Sequence, residues 1–139
     1  MKQLKILVAD ADDNFRSSLI EYLKANHDAI IIGEASCTAE LNTLAFSNDP
    51  DLILIDTKLP GSEITIQVKS MLWQRSSLTF IAMEGHPPRL CLFSLVFAGF
   101  KGCVQKARIY DQIGHAIRNI GCKKPYFYKN IPMDPDSKQ

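Results

Sequence analysis

The chain has no long hydrophobic run. Its longest apolar stretch, Leu90 to Gly99, is interrupted by Ser94 and is too short to cross a bilayer, so no membrane role is expected. It also lacks a glycine-rich phosphate cradle. GxGxxG does not follow the first apolar run, GxxxxGK(S/T) occurs nowhere, and Gly61, Gly85, Gly99 and Gly102 are scattered turn glycines. Cys37, Cys91, Cys103 and Cys122 form neither a CxxC nor a zinc-like spacing, so ordinary buried or half-buried thiols are expected rather than disulfides or a zinc site. Charge of one sign is missing too: sixteen basic residues face fifteen acidic ones, and a formal charge of +1 gives no electrostatic case for nucleic acid. Asp10, Asp12 and Asp13 break the first apolar run almost at once, as no signal peptide would allow. A cytoplasmic location is therefore the default expectation.

What is present is an alternation. At 139 residues, with 46% hydrophobic and 22% charged, the chain fits one domain with a real core. Continuous apolar runs at residues 4–8, 29–33, 52–55, 78–82 and 102–104 read as strands of a parallel sheet covered on both faces. Helical stripes lie between them. The first starts near Asp13 or Asn14 and carries Phe15, Leu19, Tyr22 and Leu23; the second, over residues 38–46, turns Leu41, Leu44 and Ala45 inward. Ser62 caps a third, a fourth follows Pro87-Pro88, and a fifth spans residues 110–120 and ends at Gly121. The result is an α/β fold, a doubly wound five-stranded parallel sheet with helices on both faces. Residues 1–122 form this domain. Residues 123–139 read as a tail or the start of a linker, with Tyr126-Phe127-Tyr128 as a cluster able to pack back.

In such sheets the active crevice lies beyond the carboxyl ends of the strands. Those ends carry Asp10, Asp56, Glu84 and Lys106. Asp56 closes the run Asp51-Leu52-Ile53-Leu54-Ile55-Asp56 and is followed by Thr57-Lys58-Leu59-Pro60-Gly61, a strand-to-turn site that displays a carboxylate. Gathered acids raise one another's pKa unless a cation intervenes, and either Lys106 or an oxygen-ligated divalent metal fits that need. A carboxylate beside such cations is able to accept a phosphoryl group, because they neutralise charge on the transferred oxygens.

These residues resemble the response-regulator receiver domain of two-component signalling. The similarity runs from about Lys2 to Ile120. It takes in Ile6-Leu7-Val8-Ala9-Asp10, Phe15-Arg16, Pro50 to Asp56, Leu59-Pro60-Gly61, and Ala98-Gly99-Phe100-Lys101-Gly102-Cys103-Val104-Gln105-Lys106. The resemblance implies a flavodoxin-like strand order 2-1-3-4-5. It implies Asp56 as phosphoacceptor, Lys106 as the phosphoryl contact, and a Mg2+ pocket formed by Asp10, Asp56 and the Lys58 carbonyl. It further implies a histidine kinase or other signalling protein as partner. The region of the fourth helix, fifth strand and fifth helix would serve as the face for a homodimer or an output domain, with no direct nucleic-acid contact by this domain.

Four positions depart from the family pattern. Ala11 stands where a second acid is usual and supplies no side-chain oxygen; Asp12 or Asp13 is left to reach in from the loop, or to be solvated or cap the helix. Glu84 replaces a serine or threonine and, when ionised, has no donor for a phosphoryl oxygen. It either fills the phosphoryl space, within reach of Lys106, or faces outward. Cys103 replaces the frequent aromatic switch residue, and Ala107 the proline that commonly follows the lysine, which favours a trans bond there.

The fourth helix region is apolar nearly all round, so some of Leu92, Phe93, Val96 and Phe97 should face outward as an interface. The reading is a receiver-type module acting through regulated protein contact or dimerisation, with phosphorylation at Asp56 weakened or absent and Mg2+ binding weakened. It is not expected to be an enzyme beyond self-phosphorylation and dephosphorylation. One alternative is a conventional Mg2+-dependent phosphoaccepting receiver relaying a signal to an output domain. Another is a haloacid-dehalogenase-type phosphatase, whose opening DxD matches Asp10-Ala11-Asp12, with Asp10 as nucleophile and Asp12 as acid/base. The later features of that class are not convincing here.

Overall fold

A computed structural model describes residues 3–128. Its elements are β1 (Leu4–Ala9), α1 (Asp13–Asn26), β2 (Ala29–Ala35), α2 (Thr38–Ser47), β3 (Leu52–Asp56), α3 (Ile64–Gln74), β4 (Phe80–Glu84), α4 (Leu92–Ala98), β5 (Gly102–Gln105), α5 (Ile109–Gly121) and β6 (Tyr126–Phe127). The sheet order is β2-β1-β3-β4-β5-β6 and every pairing is parallel. The expected order 2-1-3-4-5 is present, and a sixth strand extends it.

Strand residues alternate between two cores, as a period of two requires. Ile6, Val8, Leu52, Leu54, Ile81, Met83 and Val104 pack against α1 and α5. Leu7, Ala9, Ile53, Ile55, Phe80, Ala82 and Cys103 pack against α2, α3 and α4. Both β3 and β4 are buried at every position, which explains their unbroken apolar runs. Each large side chain removed from water in this way stabilises the fold by roughly 2–3 kcal/mol.

Local chemistry sets the helix ends. Asp12 caps α1, its carboxylate accepting the Phe15 amide at 3.0 Å. The cap of α3 is Glu63, which takes the Thr65 and Ile66 amides; Ser62, expected in that role, instead donates its amide to Thr38 Oγ1 at 2.9 Å. The fourth helix begins only at Leu92, and Gly99 closes it at φ 106°, a left-handed geometry suited to glycine. Gly121 is inside the last turn of α5, and the chain reverses just beyond it, with Lys123 at φ 59°. The segment 129–139, the polar end of the expected tail, lies outside the described residues. No helix among the described residues is long and apolar enough to cross a membrane.

Candidate functional site

Three strand ends bring Asp10, Asp56 and Lys106 together. Asp10 follows β1 and is 1% exposed; its backbone amide donates to the Ala35 carbonyl at 2.9 Å, so β2 fixes its position. Its Oδ1 accepts the Asp12 amide at 2.9 Å, and its Oδ2 lies 2.7 Å from Lys106 Nζ. Arg16 holds the Asp10 carbonyl from outside and is itself held by Glu34 and Asp13, each at 2.8 Å. Asp56 ends β3, with Oδ1 accepting the Lys58 amide at 3.1 Å and Oδ2 lying 3.4 Å from Lys106 Nζ.

Lys106 opens the 3-10 turn Lys106–Arg108 after β5. A reciprocal pair of bonds pins that turn to α5: Gln112 accepts the Gln105 amide at 2.7 Å and donates to the Gln105 side chain at 2.9 Å. Phe15 of α1 places its ring 4.6 Å from the ammonium. Burial raises the Asp10 pKa above the usual carboxylate value, with the charge of Asp56 adding to it and Lys106 opposing both. For Lys106, burial disfavours the ammonium, but the bonds and charges of Asp10 and Asp56 outweigh it and raise its pKa.

The remaining acids are engaged elsewhere. Ala11 is exposed, Asp12 caps α1, and Asp13 pairs with Arg16. Among the described residues no group of three or more His, Cys, Asp or Glu side chains is arranged to hold a metal ion. Mg2+ demands a near-octahedral oxygen set. This pocket offers two carboxylates, already joined by an ammonium, and the turn containing Lys58, so its residues do not fit that ion as a complete site.

Glu84 is the last residue of β4 and is 3% exposed. It neither faces solvent nor reaches Lys106. Its Oε2 accepts the Leu90 amide at 3.3 Å, and its Oε1 receives the Cys103 thiol at 3.5 Å. The carboxylate thus ties the end of β4 to β5 and to the approach of α4. Next to Asp56, the Thr57 hydroxyl is buried without a hydrogen-bond partner among the described residues. The cis peptide bond is at His86-Pro87, and Lys106-Ala107 is trans. None of the four cysteines forms a disulfide.

Sequence reasoning identified Asp10, Asp56, Glu84 and Lys106, and the structure converges three of them. It missed the roles of Phe15 over the ammonium, Arg16 behind Asp10 and Leu90 on Glu84. Phe15 and Arg16 carried a signal as motif residues; Leu90 carried none.

On the outer side of α4, Phe93 and Phe97 are 51% and 73% exposed and stack with ring centroids 6.0 Å apart. Val96 is also exposed and Leu92 half-buried. On neighbouring α3, Ile66 and Trp73 are exposed as well, Trp73 at 92%.

No family model matches the chain. It is 24% identical over 133 residues to the response regulator GacA of Pseudomonas aeruginosa, covering 92% of this chain and 60% of that protein. It is 27% identical over 122 residues to the transcriptional regulatory protein LiaR of Bacillus subtilis, covering 88% and 58%. The chain therefore spans less than two thirds of the length of these curated relatives. Among solved structures, the isolated receiver domain of RcsB from Salmonella enterica superposes with a TM-score of 0.82 at 15% identity, over 92% of this chain and 95% of that one. Sheet order, strand-end site and superposition agree: the chain has the receiver-domain fold of two-component response regulators.

Proposed function

We propose that this chain is a receiver-type signalling module that acts through regulated protein–protein contact or dimerisation, with phosphoryl transfer to Asp56 weakened or absent. The observation that carries this reading is the placement of Lys106 Nζ against both Asp10 and Asp56, at 2.7 and 3.4 Å, in a pocket where residue 11 is alanine. The ammonium occupies the place between the carboxylates. Glu84 adds a second closed contact where a phosphoryl group would otherwise find a hydroxyl. The proposed site is Asp56 as residual phosphoacceptor, Lys106 as its counter-charge, and Asp10, Asp56 and the Lys58 carbonyl as an incomplete Mg2+ set. Leu92, Phe93, Val96 and Phe97 form the contact face.

The partner proposed upstream is a histidine kinase or another signalling protein. Downstream it is a second copy or an output domain. Incubation with Mg2+ and a small-molecule phosphodonor, followed by intact-mass measurement, tests the reading. No stoichiometric adduct is expected. A full adduct that disappears in Asp56→Asn would overturn it in favour of a conventional phosphoaccepting receiver, the reading favoured by the survival of Asp56 and Lys106 in contact.

A further inference from the structure

Without Tyr126–Phe127, β5 would be the edge of the sheet. β6 instead adds to it in parallel, Tyr126 opposite Gly102 and Phe127 opposite Cys103. The Tyr126 amide donates to the Lys101 carbonyl and the Tyr128 amide to the Cys103 carbonyl, both at 3.0 Å. Asn119 of α5 donates to the Pro125 carbonyl at 2.9 Å, and the Tyr126 ring stacks on His115. Gly102 makes the approach feasible, because a Cβ there would meet the Tyr126 carbonyl oxygen, a backbone atom that no rotamer change removes. The attachment is nonetheless small. All three side chains are half-buried, and the link from α5 passes through Lys123 in the left-handed region.

β6 ends at the switch positions. Tyr128 and Leu90 pack against the same core as Cys103. Cys103 meets Glu84, and Glu84 meets the Leu90 amide. Burial raises the Tyr128 pKa, and the charges that Cys103 and Glu84 carry when ionised add to it, so the phenol is within electrostatic reach of both. Position 103 has no ring of its own, and β6 brings one to it.

We propose that β6 is a latch: Tyr128 seats where Glu84 holds Cys103 and Leu90, and when Glu84 lets go, β6 lifts and bares the β5 edge between α4 and α5. An uncovered edge presents unpaired backbone groups that readily take an extended partner strand. The latch rests on the reading above in treating Glu84 as part of the signalling site, but its test does not involve phosphorylation.

Cys103 is itself the reporter, since it is 2% exposed on the strand that β6 flanks, in the core that Phe127 and Tyr128 pack against. In the full chain carrying Cys37→Ser, Cys91→Ser and Cys122→Ser, maleimide labelling of Cys103 should be slow. Gly102→Ala and Tyr128→Ala should each accelerate it about tenfold, and Glu84→Gln severalfold, because local opening sets the rate. Amide exchange at residues 53–55 of β3 should stay unchanged. An unaltered rate in Gly102→Ala would show that β6 does not cover Cys103. An unaltered rate in Glu84→Gln beside a raised one in Gly102→Ala would remove the coupling, and faster β3 exchange in step with labelling would reduce the effect to global loosening. Each of these overturns the latch, while the phosphodonor result stands apart from all three.

Discussion

Asp10, Asp56 and Lys106 meet in a pocket where opposite charges face one another at 2.7 and 3.4 Å and an aromatic ring covers the cation. On the outer surfaces of α3 and α4, by contrast, Ile66, Trp73, Phe93 and Phe97 stand in solvent. The two regions come from one chain and belong to one fold, yet one is satisfied internally and the other is not. Apolar area stabilises by about 25 cal/mol per Å² when removed from water, so the outer surface holds unspent association energy. The pocket has far less to gain from an added ligand, because its charges already have partners. The outer surface is thus the region with apolar area left to remove from water, and the pocket is the region whose charges are matched within the fold.

The largest effect expected comes from emptying the pocket of its cation. Lys106→Met leaves two carboxylates facing each other with the charge uncompensated, which should cost about 3 kcal/mol in urea unfolding at neutral pH. The sign with pH is diagnostic. Burial, and then the charge of Asp56, raise the folded-state pKa of Asp10 above its unfolded value, so the lost stability should return as the pH is lowered towards 4. A loss that does not depend on pH would mean that Lys106 acts through packing alone.

Restoring the missing groups sharpens the contrast from the other side. Ala11→Asp combined with Glu84→Thr should tighten Mg2+ binding by at least about tenfold, read by calorimetry, because it adds a ligand oxygen and a donor. It should also yield an Asp56 adduct with a phosphodonor. If neither appears, the pocket is closed for a reason other than these two positions.

On the surface, Phe93→Ser with Phe97→Ser should leave unfolding stability within about 0.5 kcal/mol, since neither ring is buried in the chain itself. The same pair should weaken self-association or partner binding about tenfold, or ~1.4 kcal/mol, in sedimentation or titration. A strong stability loss without a change in association would assign the rings to the fold instead.

The smallest expected effect lies at His27, a half-buried ring that lacks the pocket's counter-charge. Its Nε2 is buried without a partner among the described residues, against Gly114 and near Arg118. Burial first, and then the Arg118 charge, lower its pKa from the usual value. The neutral ring is thus preferred when folded. Its contribution is complete above an unfolded-state pKa of about 6.5 and declines as the pH falls below that value. His27→Gln should flatten the stability profile between about pH 6.5 and 5 by less than ~1 kcal/mol.

Much of this architecture was legible in the residues. The β-branched and apolar runs fixed the five long strands, and the carboxyl-end rule placed Asp10, Asp56, Glu84 and Lys106 on the same side of the sheet. The sixth strand was not legible, because two residues carry no periodicity, and its pairing depends on a missing Cβ at Gly102 rather than on its own composition. The cap of α3 moved from Ser62 to Glu63 because Thr38, distant in sequence, holds the Ser62 amide. Glu84 was expected to fill the phosphoryl space, within reach of Lys106, or to face outward. The structure buries it without the Lys106 contact; the tertiary positions of the Leu90 amide and the Cys103 thiol hold it, and no local pattern encodes them.

The Phe15 ring over Lys106 has a consequence in terms of ionic strength. Mobile counter-ions screen exposed charges within about 10 Å at 0.1 M salt, but they act poorly on a pair from which they are sterically excluded. With Asp10 fully enclosed and an aromatic face against the ammonium, the pocket should keep its electrostatic cohesion in salt that weakens an exposed pair such as Arg108–Asp111. The interior of this site is insulated from the ionic composition around it, while the exposed rings of α3 and α4 face that solution directly.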